Sequence, residues 1–270
     1  MPQGGIMEAR VIDLSFSMYD LEYFLLILTR VSCFVFVAPF FSLSNTPRHV
    51  RVALSVFTAL LLYQTLTPAP AVEYNTITGY TVIVVKEVLT GLMLGLGTSM
   101  CSAIVNFAGH IVDMEIGLSM VTLFDPATRE STSITGAYYQ YVVMLMLIVS
   151  GMYRYLFGAL ADSFVLIPVN GAIFQMDSLL TSVIGFLVNY IIIGFRICLP
   201  VFCVILMLNA ILGVLAKVSP QMNMFAVGIQ LKILAGLSVL VYSASMLPSA
   251  ANFIFQQMKE TITAIVGGMM

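Results

Sequence analysis

Ser178-Leu-Leu-Thr-Ser-Val-Ile-Gly-Phe-Leu-Val-Asn189-Tyr-Ile-Ile-Ile-Gly-Phe-Arg196-Ile-Cys-Leu-Pro200-Val-Phe-Cys-Val-Ile-Leu-Met-Leu-Asn209-Ala-Ile-Leu-Gly-Val-Leu-Ala216 is a single apolar run of 39 residues, interrupted by Asn189, Arg196, Pro200 and Asn209. As one helix it would be about 58 Å long at 1.5 Å per residue. That is nearly twice the roughly 30 Å of a bilayer's hydrocarbon core. The run is therefore kinked at Pro200, folded into a hairpin, or not confined to a bilayer. Each reading requires long apolar helices, and this sets the expected class as all-α, a multi-helix integral membrane protein.

Composition agrees. Of 270 residues, 60% are hydrophobic and only 9% charged, against about 25% charged in soluble domains. A net charge of −2 offers no basic field for nucleic acid. Trp is absent, so the twelve Tyr must supply any interfacial aromatic belt. Cys33, Cys101, Cys198 and Cys203 each lie within an apolar run and form no CxxC pair. They read as small buried hydrophobes. The first twenty residues carry Glu8, Arg10, Asp13 and Asp20 and lack a signal-peptide pattern, so the N-terminus is expected to be retained.

Further apolar runs cover 21–41, 50–67, 78–105, 134–153 and 224–247. Pro68 and Pro70 end the second. Gly91, Gly95 and Gly97 give the third a small-residue face that lets another helix approach closely. Residues 154–177 are mixed, with Ile167-Pro-Val-Asn-Gly171 as a turn signal. The turn 217–223 contains Pro220. In the tail, Phe255, Met258, Ile262 and Ile265 share one helical face, opposite Asn252, Gln256, Lys259 and Thr263. Such a tail is an interfacial helix or a helix docked on a partner.

Residues 106–136 are the most polar part of the middle, yet Met120, Val121, Leu123 and Phe124 form an apolar cluster inside them. A surface loop has no need of that cluster. A membrane span would not tolerate Asp113, Glu115, Asp125, Arg129 and Glu130 around it. The stretch reads as a re-entrant segment. His110 shares a helical stripe with Asn106, Asp113 and Gly117 and is read as polar packing between helices.

Arg30, Lys86, Glu87, Arg196 and Lys232 lie within apolar runs. Ionised groups in lipid are costly and usually face protein or water. A protein-lined or water-filled interior accounts for five of them better than snorkelling does, and Arg196 and Lys232 are expected to be buried in protein. Loop charges are too few to fix an orientation.

Chemistry is sparse. No nucleophile elbow, zinc-protease motif, P-loop or dinucleotide fingerprint appears. His49 and His110 have too few companions to hold a metal. No catalytic residues, cofactor or metal are expected.

Gly109-His-Ile-Val-Asp-Met-Glu-Ile-Gly117-Leu-Ser-Met-Val-Thr-Leu-Phe-Asp125-Pro126 resembles the signature of the FliR family of flagellar export proteins, related to the SctT proteins of virulence secretion systems. Phe195-Arg-Ile-Cys-Leu-Pro200, Leu212-Gly213, Pro220-Gln-Met-Asn-Met-Phe225 and Leu231-Lys232 also match. So, more loosely, do Arg30, Pro39, Pro47, Arg51, Ser163-Phe164 and Pro168. Glu115, where relatives carry Gln, and Gln230, where they carry Pro, depart from the pattern; the latter implies a straighter last helix.

The resemblance implies a non-enzymatic core subunit of a type III export gate, flagellar rather than virulence. It would work with FliP-like, FliQ-like and FlhB-like subunits in the bacterial inner membrane, within the basal body. The chain would be a FliP-like helical part followed by a FliQ-like hairpin at about 178–247 and an amphipathic helix at about 249–270. Carried over by position, a plug loop would run from about Gly117 to Pro126, with Met120, Val121, Leu123 and Phe124 sealing the pore against ions until unfolded substrates pass. Lipid would be a further contact. A competing class is a secondary transporter, suggested by Pro200, Asn189 and the intramembrane charges, which resemble a broken-helix ion site.

Overall fold

A computed structural model describes residues 18–39, 46–66, 74, 76–119, 133–219, 221 and 223–270. Helix α1 spans Met18–Val37, α2 Arg48–Leu66, α3 Ile77–Ile116, α4 Ile134–Val149, α5 Met152–Leu166, α6 Met176–Val218, α7 Met224–Ser243 and α8 Leu247–Gly267. Among the described residues there is no strand, so the all-α reading stands. The expected plug residues Met120, Val121, Leu123, Phe124, Asp125 and Pro126, and the turn residue Pro220, lie outside the described residues.

The organising element is α3. It packs against α1, α4, α6 and α8, and at its C-terminal end against α7. It is also longer than its apolar run, continuing through Val105 to Ile116. The start of the supposed re-entrant stretch, residues 106–116, is thus ordinary helix, because Val105, Ala108, Val112 and Ile116 sustain a buried stripe between the polar positions. Likewise residues 154–166, read as mixed, belong to α5, built on Leu156, Leu160 and Phe164. The chain bends by 73° between α4 and α5. Gly151 supplies the left-handed conformation (φ 71°) that this corner needs.

The glycine face of α3 does what its spacing suggests. A Cβ at Gly91 would overlap the Arg30 carbonyl of α1, and one at Gly95 would come within 2.8 Å of Val37 Cβ. Gly97 instead admits Ile265 of α8. A Gly91→Ala substitution should therefore push α1 from α3 and cost about 1–3 kcal/mol. Gly158, which faces open space, should gain up to about 1 kcal/mol on the same change, since alanine restricts the unfolded chain. Melting of the purified full-length variants in detergent measures both.

The 39-residue run resolves into one continuous helix, α6, with Pro200 inside it. It is neither broken nor folded back on itself, which removes the unwound backbone that a broken-helix ion site needs. Its partner is α7 followed by a three-residue 3₁₀ turn, Ala244–Met246, and α8. The two arms run antiparallel: Leu212 touches Gly228, Phe253 lies by Arg196, Asn189 bonds Gln257 and Leu179 abuts Gly268. The amphipathic tail therefore docks on its own chain, burying Phe255, Met258, Ile262 and Ile265 against α3, α4 and α6.

Among the described residues, four helical segments are long and apolar enough to cross a membrane, or five if the bent α4–α5 pair counts as one. Half of the α3 window is buried within the chain, against 28% for α6 and 11% for α2. Helices α2 and α6 thus present apolar surface that only lipid or other protein can cover. Of the cysteines, Cys101 and Cys198 are buried as expected, Cys33 is half-buried and Cys203 is exposed.

Candidate functional site

Two polar constellations stand out within the apolar body. One is the root of the loop between α3 and α4. Helix α3 ends at Gly117, whose φ of 92° is the left-handed cap conformation and whose N–H donates to the Asp113 carbonyl at 3.0 Å. The chain re-enters helix at Ser133. Its hydroxyl accepts from the Gly136 N–H at 2.8 Å, an N-cap, while Ala137 N–H donates to its carbonyl.

The Asp113 carboxylate joins exit to entry. It accepts the Ser133 hydroxyl at 2.7 Å, the Thr135 N–H at 3.2 Å and the Thr135 hydroxyl. A negative charge at the N-terminus of α4 is favoured by the helix dipole. Asp113 is buried, but its lone pairs are taken. Behind it Gly109 of α3 and Gly136 of α4 meet backbone to backbone, leaving no room for a Cβ at Gly109. His110, expected to pack between helices, is exposed instead. A cavity of about 490 Å³ beside the root is lined by Leu118, Ile134, Tyr138, Leu237, Leu240 and Val241.

The other constellation surrounds Arg30, fully buried with Glu87. Arg30 Nε donates to Glu87 Oε2 at 2.6 Å and Nη2 to Oε1 at 3.0 Å, a bidentate pair. Nη1 donates to the carbonyls of Ser163 and Ile167 at 3.2 and 2.9 Å, capping the C-terminal end of α5. The guanidinium lies 4.2 Å from the centroid of the Phe164 ring. Glu87 also accepts the N–H of Asn170, which takes a positive φ of 69° in the turn after α5. Lys86 is only half-buried and donates to the Asn170 carbonyl at 3.5 Å.

The remaining charges do not join these groups. Arg196, expected to be buried in protein, is exposed within this chain and stacks on Phe253 at 5.2 Å. Lys232 is half-buried on α7.

The family model for bacterial export proteins, family 1, matches residues 21–258, nearly the whole helical body. The chain belongs to this family, the FliR family. The flagellar biosynthetic protein FliR of Bacillus subtilis (strain 168) is 28% identical over 249 residues, covering 90% of this chain and 95% of that protein. FliR of Aquifex aeolicus (strain VF5) is 28% identical over 230 residues, covering 84% and 87%. FliR of Escherichia coli (strain K12) is 26% identical over 231 residues, covering 84% of each.

The resemblance noted in the sequence takes on a spatial meaning. Arg30 lies 133 residues from Ser163 in the chain, yet it touches Ser163 and Phe164, and nearby Pro168 belongs to the turn that closes on Glu87. Sequence reasoning missed Ser133, Thr135 and Gly136, and read Asn170 as part of a turn without its contact to Glu87. A signal existed for Ser133, a helix N-cap residue directly before an apolar run, and for Asn170, in an Asn-Gly pair. Nothing local marks Thr135 as an Asp113 partner.

Proposed function

We propose that this chain is a core subunit of the flagellar type III protein export gate. With FliP-like and FliQ-like subunits it forms the channel for unfolded flagellar proteins, beside an FlhB-like subunit, in the bacterial inner membrane within the basal body. Helices α1 to α5 are its FliP-like part and the α6–α7 hairpin its FliQ-like part. The segment from Gly117 to Pro126 plugs the closed channel through Met120, Val121, Leu123 and Phe124.

The observation that carries this reading is the root of the α3–α4 loop. Asp113 ties Gly117 to Ser133 and Thr135 in a fully satisfied cluster, so both ends of the intervening segment are held at one point. A rigid root holding a Met- and Phe-containing segment suits a seal. An apolar constriction excludes ions by dewetting, and such side chains repack around a passing chain. The uncovered apolar faces of α2 and α6 favour a hetero-oligomer. The ionic groups argue for a passive conduit over a transporter: the Arg30–Glu87 pair and Asp113 are all saturated by protein partners.

The decisive experiment replaces Met120, Leu123 and Phe124 with Ser in cells that assemble the complex. Membrane leakage of small ions should rise while co-purification with the FliP-like and FliQ-like subunits persists. Unchanged leakage with normal assembly would remove the plug assignment.

A further inference from the structure

We propose that Arg196 and the cavity beside it receive a carboxylate side chain, Asp or Glu, from another subunit of the complex. This rests on reading the chain as one member of a hetero-oligomer, and adds to that reading a place and a chemistry of contact.

The cavity, of about 280 Å³, lies where α6, the 3₁₀ turn and the start of α8 meet. Ile193, Pro200 and Met246 contribute to its apolar wall, and Arg196 and Ser249 bring polar side chains to it. Arg196 is exposed, and no carboxylate among the described residues pairs with it; its contact is with the Phe253 ring, 5.2 Å from the guanidinium. An aromatic ring attracts a cation but does not neutralise it. Ser249 is exposed too, and its hydroxyl has no protein partner among the described residues. Both groups can donate, and the two oxygens of one carboxylate can accept from both. Arg30, the other arginine within an apolar run, shows what such a group takes when it is covered: it holds both oxygens of Glu87.

The surroundings select a protein carboxylate over a lipid headgroup or a free anion. Helix α6 has 43 residues, about 65 Å at 1.5 Å per residue, with Arg196 near its middle. Ile192 and Leu199, one turn to either side of Arg196, are exposed, so the apolar surface continues past it in both directions. A headgroup layer at Arg196 would need that surface to end there. Neither half of α6 pairs with a clean bilayer-length arm. Helix α7 carries exposed Gln230 and half-buried Lys232 near its middle, and α8 exposes Asn252, Gln256, Lys259 and Glu260. Protein is therefore the cover that fits α6 on both sides of Arg196. A protein surface lying over Ile192 and Leu199 shuts water away from the guanidinium between them. An arginine desolvated without a counter-charge destabilises the contact that buries it, so the covering chain brings the acid itself.

The test uses the assembled complex containing this chain. A diazirine amino acid replaces Leu199, exposed beside Arg196, or Met246, exposed on the cavity wall. On illumination each should cross-link to a peptide of another subunit that contains Asp or Glu, identified by mass spectrometry. Arg196→Glu should then lower co-purification of that subunit about tenfold, a ratio worth about 1.4 kcal/mol. Arg196→Lys should retain most of it. Reversing the cross-linked acid to Arg should restore binding to the Arg196→Glu chain, which excludes misfolding as the cause of the loss. Cross-links confined to lipid or to this chain, a contacting peptide without an acid, an Arg196→Glu complex that assembles normally, or a loss that no acid reversal restores overturns the proposal while leaving the hetero-oligomer intact. A native chain that purifies with no other subunit overturns both.

Discussion

Arg30→Ala should be the most destabilising single side-chain truncation in this protein, costing about 3–5 kcal/mol. The change leaves Glu87 as an unpaired carboxylate at zero exposure, and strips donors from the Ser163 and Ile167 carbonyls. Whole domains are stable by only about 5–15 kcal/mol, so the variant should accumulate poorly in membranes and melt far below the native chain. Arg30→Lys should recover little. A lysine has one nitrogen, and cannot reach both Glu87 oxygens and two carbonyls while stacking on Phe164. The paired change Arg30→Met with Glu87→Met should recover more, because removing both charges leaves none uncompensated. Melting temperatures of the three purified variants order these effects. An Arg30→Ala chain that melts like the native one would show that water reaches Glu87.

The contrast between Arg30 and Arg196 explains how much of this fold was legible in the sequence. Helix class, the apolar spans, the glycine face of α3 and the amphipathic tail are local or periodic properties, and they were readable. So was the principle that Arg30 must be enclosed. Its partner was only half readable: Glu87 is the one acid among the five charges in apolar runs, but it is 57 residues away and only tertiary structure brings it to Arg30. Arg196 carries the same sequence signature as Arg30, a cation inside an apolar run, yet this chain leaves it exposed. The difference lies in where α6 faces outward, which no pattern along α6 alone can set. Pro200 misled for a related reason. A proline suggests a break, but α6 continues through it, with contacts to α3 and α8 before it and to α7 after it. At the loop root, the sequence places Asp113 on a polar stripe of α3 but does not show that it caps a different helix. That role emerges only once Gly109 and Gly136 bring α3 and α4 into backbone contact.

Gly109→Val tests that root. Valine is tolerated within an α-helix, so α3 itself should persist. The added Cβ, however, falls on the backbone of Gly136, which cannot yield as a side-chain tip can. Helices α3 and α4 must part, lengthening the Ser133 and Thr135 bonds to Asp113. Overpacking of this kind costs about 1–3 kcal/mol. The loss of hydrogen bonds to a charged group adds about 1.5–3 kcal/mol for each that breaks. The two costs fall at one place, so they should appear as local opening before global unfolding. Hydrogen exchange at Thr135, Gly136 and Ala137 should accelerate markedly, while amides around Arg30 keep their protection. Asp113→Asn separates the contributions: it retains the shape and one acceptor but not the charge, and should open the root less than Gly109→Val does. If the Gly117–Pro126 segment seals the channel, ion leakage should follow the same order, native least, Asp113→Asn intermediate and Gly109→Val most. Leakage that rises without faster exchange at Thr135 would detach the seal from this root. Faster exchange without leakage would mean that the segment holds its place by contacts beyond Asp113.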